Sequence, residues 1–253
     1  MRVEKEPCVE IDFRRQLKQA LGPRWTTRLR CLQRGKRLPR WGNLRNTHPF
    51  SDYFGFDRGT PVDRYYVHRF YHQNCAWVTG DVLEIQGTGY TRRYGHDLRR
   101  AESLDINPAV NPTFLCDLAR AETVLPADSY DCFLLPNSFQ HVRDLEPAMR
   151  QALRIVRPGG TILATVPAFV PLISDGPQYW MMSAEGWGQL AARVWNGAEV
   201  EVCAYGNCLA AMAAMLGLAM EELSEAELQH QDDRYPVMVT ILCRKQREKC
   251  SAL

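Results

Sequence analysis

This 253-residue chain lacks the features of a membrane-spanning, secreted or zinc-binding protein. No apolar run approaches the roughly 18 residues of a membrane span. The charged start from Met1 to Pro7 has no apolar core of a signal peptide. Its nine cysteines are odd in number and include no Cys-x-x-Cys pair. We therefore expect a cytosolic protein with buried, reduced thiols. These thiols include Cys75, Cys116, Cys132, Cys203 and Cys243.

Acidic residues are absent from Phe13 to Ser51, a stretch that contains eleven Lys or Arg residues. The rest of the chain then carries 20 basic and 29 acidic residues, although the net charge is only +2. Apolar residues recur in this stretch at three- or four-residue steps, which predicts amphipathic helical pieces broken near Gly22 and Pro23. They are Phe13, Leu17, Leu21, Trp25, Leu29 and Leu32.

Two interpretations of this basic segment stay open. It is a patch for an anionic partner such as a phosphorylated substrate, membrane headgroups or nucleic acid, or a solvated face lying against the chain's own acidic part. No nucleic-acid-binding motif accompanies the charge.

Beyond the basic segment, strand and helix patterns alternate, which predicts a mostly parallel α/β sheet. Pro61 stands where a helix running to about Gln73 begins. We predict strands near 81–86, 102–106, 113–116, 130–136, 160–166, 198–204 and 236–243. We predict further helices near 92–100, 144–156, 183–195 and 207–219. The last strand follows a polar stretch too short for a crossover helix, so it can enter antiparallel.

Acidic or glycine-rich turns follow the predicted strands in a regular order. The segments are Asp81–Gly89, Ser103–Ile106, Leu115–Leu118, Tyr130–Asn137 and Arg157–Gly160. This order is the layout of an open α/β sheet that holds a nucleoside along its strand ends. Asp105 lies 21 residues beyond Glu84, near the separation at which a second-strand carboxylate meets ribose hydroxyls. The turn Gly87-Thr-Gly89 lacks the third glycine of a dinucleotide fingerprint, which disfavours a nicotinamide enzyme.

The string from Asp81 to Pro167 resembles the core of the class I S-adenosylmethionine-dependent methyltransferases. The segment from Phe54 to Tyr66 resembles a bacterial branch of that family whose members often accompany glycosyltransferases. Further stretches similar to that branch are Tyr90–Arg93, Ala204–Asn207, Glu221–Leu228 and Tyr235–Pro236. The resemblance implies a Rossmann-like seven-stranded sheet with helices on both faces. It covers about Phe54 to Arg244, so we expect a basic helical extension over residues 1–53 and a methyltransferase domain over 54–253.

The resemblance also implies a set of cofactor-binding residues. The turn after Glu84 would hold the methionine end of S-adenosylmethionine, Asp105 the ribose, and Asp117 with Leu118 the adenine. The full set is Tyr65, Glu84, Gln86, Gly87, Gly89, Asp105, Ile106, Asp117, Leu118, Asn137 and Ser138. This chain departs from the usual E-x-G-x-G-x-G turn, because Gln86, Thr88 and Tyr90 stand at the glycine places. Weakened or altered cofactor binding is therefore one expectation.

The methyl acceptor should meet the cofactor after the fourth strand. Gln140 and His141 occupy the place where many members of the family that the sequence resembles carry two histidines. His141 is the candidate base because the ordinary pKa of histidine lies near neutrality. Tyr179 and Trp180 suggest an apolar acceptor pocket, and we assign Asn207 to the acceptor as well. His68 and His72 are spaced i, i+4, but with no third ligand evident we expect no metal site.

We therefore expect methyl transfer from S-adenosylmethionine to an oxygen or nitrogen of a small molecule, glycan precursor or peptide. S-adenosylhomocysteine would be the product. The alternative is a non-catalytic methyltransferase-fold partner protein that has lost cofactor affinity through Gln86.

Overall fold

The structure, a computed structural model, describes residues 22–34, 42–172 and 176–247. The chain divides into two compact units, residues 1–47 and 48–253, so the expected boundary after residue 53 lies a few residues inside the second unit. In the first unit, helix α1 spans Gly22–Gln33 and a short 3-10 turn spans Gly42–Leu44. Pro23 stands in the first turn of α1, where its missing N–H costs no helical hydrogen bond. The apolar repeat from Phe13 to Leu21 lies outside the described residues.

A seven-stranded sheet forms the second unit, and its strand order is β3-β2-β1-β4-β5-β7-β6. All pairs are parallel except those of β7, which runs antiparallel to both β5 and β6. The expectation of an antiparallel last strand is confirmed. The strands are β1 Thr79–Ile85, β2 His96–Asp105, β3 Phe114–Leu115, β4 Tyr130–Pro136, β5 Val156–Pro167, β6 Glu199–Tyr205 and β7 Met238–Arg244.

Helices cover both faces of the sheet because alternate side chains along each strand point to opposite faces. Leu83 and Phe133 pack in a core cluster that includes the helices Leu145–Ile155 and Ala184–Val194, whereas Val82 and Cys132 pack in a second cluster that includes the helices Val62–Gln73 and Cys208–Met215. The helices of the second unit are α2 Val62–Gln73, α3 Gly89–Tyr94, α4 Leu145–Ile155, α5 Ala184–Val194, α6 Cys208–Met215 and α7 Glu225–Gln229.

The predicted helix over 92–100 is wrong in its position. Helix α3 ends at Tyr94, and β2 begins at His96. Gly95 is the C-cap with extended backbone angles, and a Cβ there would lie 2.5 Å from the Thr91 carbonyl oxygen, so this chain path requires glycine. The predicted strand near 102–106 is the second half of β2. The first half was missed because most of it is exposed and polar, so it lacks the apolar alternation that marks a half-buried strand.

The seven cysteines among the described residues are free thiols. Cys132 and Cys243 are buried as expected, whereas Cys75, Cys116 and Cys203 are only partly buried. Burial raises the pKa of Cys243 to about 12. Within the described ranges no helix has the length and apolarity to cross a membrane, and no group of three His, Cys, Asp or Glu could hold a metal ion.

An ion-pair cluster lies where β1 and β4 begin. The Asp81 side chain is only 9% exposed and faces guanidinium nitrogens of Arg157, Arg99 and Arg100 at 2.8, 3.2 and 3.2 Å. Asp131 pairs with Arg99 and Arg157 and also accepts a hydrogen bond from the Asp81 backbone N–H at 2.8 Å. The hydrogen bond from Arg100, together with those from Arg99 and Arg157, holds the pKa of Asp81 well below its ordinary value against the effect of burial. The cluster thus joins β1, β2, β4 and β5 at one edge of the sheet.

We expect Asp81→Asn to lower the free energy of unfolding by about 1–3 kcal/mol, because charge-assisted hydrogen bonds are lost from a buried site. A carboxylate with a lowered native pKa stabilises the fold fully above its unfolded-state pKa of about 3.9 and loses that effect as the pH falls further. The difference between the two proteins should therefore hold from pH 5 to 8 and shrink below pH 4 in urea titrations. The matched control Asp144→Asn, at an exposed helix N-cap without a side-chain cap bond, should change stability by less than about 0.5 kcal/mol. Equal effects of the two variants would contradict this role for Asp81.

Candidate active site

The candidate residues converge because parallel strands end at the same edge of the sheet. Glu84 on β1 pairs in register with Ser103 on β2 and with Leu134 on β4. Asp105, the last residue of β2, pairs with Leu115 on β3. Neighbouring strands lie about 4.8 Å apart, so the residues that follow β1, β2, β3 and β4 line one continuous edge. We call it the carboxyl edge.

Glu84 organises the turn after β1. Its side chain is buried and accepts hydrogen bonds from the backbone N–H of Tyr90 at 3.1 Å and of Thr91 at 2.7 Å. The Thr91 hydroxyl donates a further bond at 2.7 Å. Burial raises the pKa of Glu84, and these hydrogen bonds oppose the rise. A carboxylate at the start of α3 also suits the positive end of the helix dipole. In the structure Glu84 therefore caps backbone amides of the turn.

The turn itself has a conformation that favours glycine. Gln86 has φ +73°, and its N–H donates to the Leu104 carbonyl at 3.0 Å. A non-glycine residue in this region is strained, which explains physically why the related motif carries glycine there. A Cβ built on Gly87 or Gly89 would meet no atom within 4 Å, so open space lies in front of both glycines.

The second strand presents a carboxylate and an apolar side chain together. Asp105 Oδ1 accepts a hydrogen bond from the Asn107 N–H at 2.6 Å, which fixes the loop after β2. An ionised carboxylate accepts about four hydrogen bonds, so capacity remains for two ribose hydroxyls. Ile106 is 70% exposed, so it presents apolar surface next in sequence to this carboxylate.

After β3, Asp117 begins the 3-10 helix Leu118–Thr123 as its N-cap and accepts the Ala119 N–H at 2.9 Å. The side chain stays exposed. Leu118 is instead buried in the core, so Ile106 offers more apolar surface at the carboxyl edge. The Cys116 N–H donates to the Asp105 carbonyl at 2.9 Å and keeps the two strand ends together.

Asn137 connects the end of β4 to its neighbours. Its N–H donates to the Thr165 hydroxyl at 3.0 Å, and that hydroxyl donates to Asn137 Oδ1 at 3.0 Å. Asn137 Nδ2 donates to Asp63 on α2 at 3.1 Å. Ser138 is buried and donates to the Pro136 carbonyl at 2.8 Å. Asn137 therefore ties α2 to the carboxyl edge.

Three hydrogen bonds attach the loop 177–180 to the turn 139–142. The Tyr179 N–H donates to the Gln140 carbonyl at 2.7 Å, and Trp180 Nε1 donates to the Val142 carbonyl at 2.7 Å. His141 Nδ1 lies 3.0 Å from the Pro177 carbonyl oxygen. Because a carbonyl can only accept, the proton belongs on Nδ1, and Nε2 of the neutral ring carries the free lone pair. His141 is exposed, as a base for an incoming acceptor must be.

Gln140 is buried, and its two amide atoms differ in their hydrogen bonding. Nε2 donates to the Asn137 carbonyl at 2.6 Å, whereas Oε1 is buried without a hydrogen-bond partner among the described residues. A buried acceptor left unpaired costs free energy. A donor group on a ligand would satisfy it.

A groove of about 700 Å³ opens beside this loop, between α4 and α5. Its apolar wall includes Leu145, Trp180 and Met182, and its rim carries Glu146 between Arg150 and Arg193. Apolar surface therefore lies near Trp180, as expected, and charged side chains lie at the rim of this groove.

Tyr65 and Asn207, which were expected to contact the cofactor and the acceptor, form hydrogen bonds to other parts of the protein. Tyr65 donates to Glu225 on α7 at 2.8 Å and lies two positions from Asp63, hence about 200° around α2 from it. Asn207 is buried as the N-cap of α6, where Oδ1 accepts the Ala210 N–H at 3.0 Å. Its Nδ2 donates to the Glu227 and His230 carbonyls at 2.7 and 2.8 Å. These contacts account for both residues without a ligand.

Sequence reasoning did not single out Asp63, Arg64, Tyr90 and Thr165 as site residues. Asp63 accepts from Arg64 at 2.8 Å as well as from Asn137. The Tyr90 ring contacts Tyr71 and His68 at centroid distances of 4.9 and 5.7 Å. Asp63 and Arg64 lie within the segment Phe54–Tyr66 that resembles the bacterial branch, and this resemblance could have identified them as site residues. Thr165 offered none, because it is one polar residue inside an apolar strand.

Comparison with known proteins bears on this site. Residues 87–164 match the family model described as "Methyltransferase domain". No curated protein is significantly similar to the chain. Among solved structures, a complex of the Haloferax volcanii Trm112 methyltransferase activator with its methyltransferase matches at 18% identity and TM-score 0.49, covering 78% of this chain and 99% of that one. A methyltransferase of Thermotoga maritima matches at 19% identity and TM-score 0.46, with 73% and 94% covered. At these values the likenesses carry no argument about substrate.

The family-model match spans the glycines of the turn, the carboxyl edge and most of β5, and the seven-stranded sheet with helices on both faces is the one that the resemblance implied. The chain has the class I S-adenosylmethionine-dependent methyltransferase fold. The family-model match supports S-adenosylmethionine as its cofactor, and the site fits that molecule on physical grounds. The glycine turn is open, Asp105 keeps acceptor capacity, and Ile106 exposes apolar surface.

We expect Gln86→Gly to raise the free energy of unfolding by about 1 kcal/mol, since glycine relieves the positive φ at a smaller cost in chain entropy. It should also bind S-adenosylhomocysteine several-fold more tightly, because backbone can then approach the ligand. Urea titration and calorimetry measure the two effects. The control Asp97→Gly, also at a positive φ (47°) but before the carboxyl edge, should change stability alone. Unchanged affinity in Gln86→Gly would mean that the glutamine side chain is accommodated.

Proposed function

We propose that the protein transfers the methyl group of S-adenosylmethionine to an oxygen or nitrogen of a small molecule, glycan precursor or peptide. The observation that carries the proposal is the arrangement at the carboxyl edge, where the open glycine turn, Asp105 and Ile106 adjoin the Asn137–His141 turn on the next strand. The cofactor supplies an electrophilic methyl group on a sulfonium. The protein's own work is then to position the two reactants and, for a hydroxyl acceptor, to remove a proton.

Each residue has a defined part in this proposal. The turn at Gly87 and Gly89 takes the methionine end, the carboxylate of Asp105 accepts from the ribose hydroxyls, and Ile106 packs on the adenine with Asp117 at its edge. Glu84 holds the turn and does not touch the ligand. The Asn137 bridge to Asp63 and Thr165 fixes the floor between the cofactor and the acceptor.

The acceptor side is built on the turn 139–142 and the loop attached to it. Gln140 Oε1 is an unpaired buried acceptor, which suits an N–H or O–H donor on the methyl acceptor. His141 Nε2 is the candidate base, since Nδ1 is directed at the Pro177 carbonyl. Tyr179 and Trp180 supply apolar surface. We infer an acceptor that combines an apolar body with a donor group.

A second candidate function is a non-catalytic partner protein that keeps the fold. The strained, exposed Gln86 favours it, because it places a side chain where the family pattern has none. Failure of the intact protein to bind S-adenosylhomocysteine would select this alternative.

Asp105→Asn should weaken S-adenosylhomocysteine binding by about tenfold or more, because a charge-assisted hydrogen bond to the ribose is lost. The matched control is Asp128→Asn, an exposed acid before β4 that pairs with Lys245 at 2.7 Å. It should bind as tightly as the original protein in calorimetric titration. If both variants bind equally, Asp105 does not hold the ribose.

His141→Asn should reduce methyl transfer by about 10²-fold or more, since asparagine can keep the contact to Pro177 but cannot act as a base. The assay follows transfer of a labelled methyl group from S-adenosylmethionine to cell-extract components. Affinity for S-adenosylhomocysteine should stay unchanged. The exposed control His72→Asn on α2 should retain full transfer; equal rates in both variants would leave His141 a loop-positioning residue.

A further inference from the structure

Helix α1 carries an apolar stripe that is open to solvent. The Trp25, Leu29 and Leu32 side chains are 57%, 43% and 60% exposed. Their spacing of four and three residues places them on one side of the helix. Large apolar side chains clustered in this way mark an interaction surface.

The surroundings of the stripe are basic. Helix α1 contains no acidic residue in its first turn, and the stretch from Phe13 to Ser51 has eleven Lys or Arg and no Asp or Glu. The Arg28 guanidinium lies over the Trp25 ring at 5.4 Å, so one charge sits beside the apolar stripe. An apolar face with tryptophan and leucine, flanked by basic residues, is the pattern of helices that lie in a membrane interface.

We propose that the segment around α1 is a docking surface for an anionic lipid bilayer, lying flat with Trp25, Leu29 and Leu32 inserted below the headgroups. Charge and apolarity together select this partner. Nucleic-acid phosphates would satisfy the basic residues but not the exposed stripe, whereas anionic headgroups over acyl chains satisfy both. The inference is independent of the methyl-transfer proposal.

The test is flotation of the full chain with vesicles of phosphatidylcholine alone or mixed with phosphatidylglycerol. We expect binding to the anionic vesicles at least tenfold stronger than to the neutral ones, and several-fold weaker at 0.5 M than at 0.1 M salt. Equal binding to both vesicles, or binding to neither, would overturn the proposal.

Paired variants separate the two components of the surface. Leu29→Asp with Leu32→Asp should lower vesicle binding by tenfold or more, whereas Leu44→Asp, an apolar residue 39% exposed outside α1, should stay within twofold. Arg28→Gln with Arg34→Gln should weaken binding to anionic vesicles. The control pair Arg120→Gln with Arg143→Gln, exposed in the second unit, should not. An unchanged melting temperature in every variant shows that the second unit remains folded.

Other partners give different outcomes in the same experiments. A DNA or RNA duplex that binds tightly, displaces the vesicles and is indifferent to Leu29→Asp with Leu32→Asp would overturn the lipid proposal. A dimer in sedimentation velocity that is abolished by those two changes, without vesicle binding, would assign the stripe to a second copy of the chain instead.

Discussion

The carboxylate of Glu84 is the contact on which the site depends. It is buried at the end of β1 and accepts three hydrogen bonds from Tyr90 and Thr91. These bonds hold the start of α3 beside the end of β1 and thereby fix the path of residues 86–89. Without such an acceptor, the first amides of α3 would need other partners. The open space before Gly87 and Gly89 follows from this path.

A second constraint is that the two edges of the sheet carry different kinds of side-chain contact. The Asp81 cluster joins four strands by ion pairs at one edge. At the carboxyl edge, in contrast, Asp105 keeps acceptor capacity, Ile106 is exposed and Gln140 Oε1 is unpaired. Ion pairs therefore link the strands at one edge, and the groups that we propose to meet ligands lie at the other.

Sequence patterns were informative wherever apolar alternation or a turn residue marked a structure. They predicted the seven-stranded α/β fold, the helix after Pro61 and the antiparallel last strand. They failed for residues 92–100, because the polar first half of β2 has no buried alternation to detect. In the candidate site, Asp105 was predicted from its spacing to Glu84, whereas Asp117 was assigned through the family resemblance.

The contacts between distant segments could not be predicted. The hydrogen bonds of Asn137 with Asp63 and Thr165 join three segments of the chain. The local sequence around each residue does not indicate these bonds. The same limit applies to Asn207 and Tyr65, whose partners Glu227, His230 and Glu225 lie far along the chain. Their roles as cofactor or acceptor contacts stay predictions.

A crystal structure of the protein with S-adenosylhomocysteine tests the central claim most directly. We predict the ribose hydroxyls on Asp105, the adenine against Ile106 and the homocysteine moiety over Gly87 and Gly89. A nucleoside bound away from the carboxyl edge, or a well-ordered edge without ligand at saturating concentration, would contradict the account.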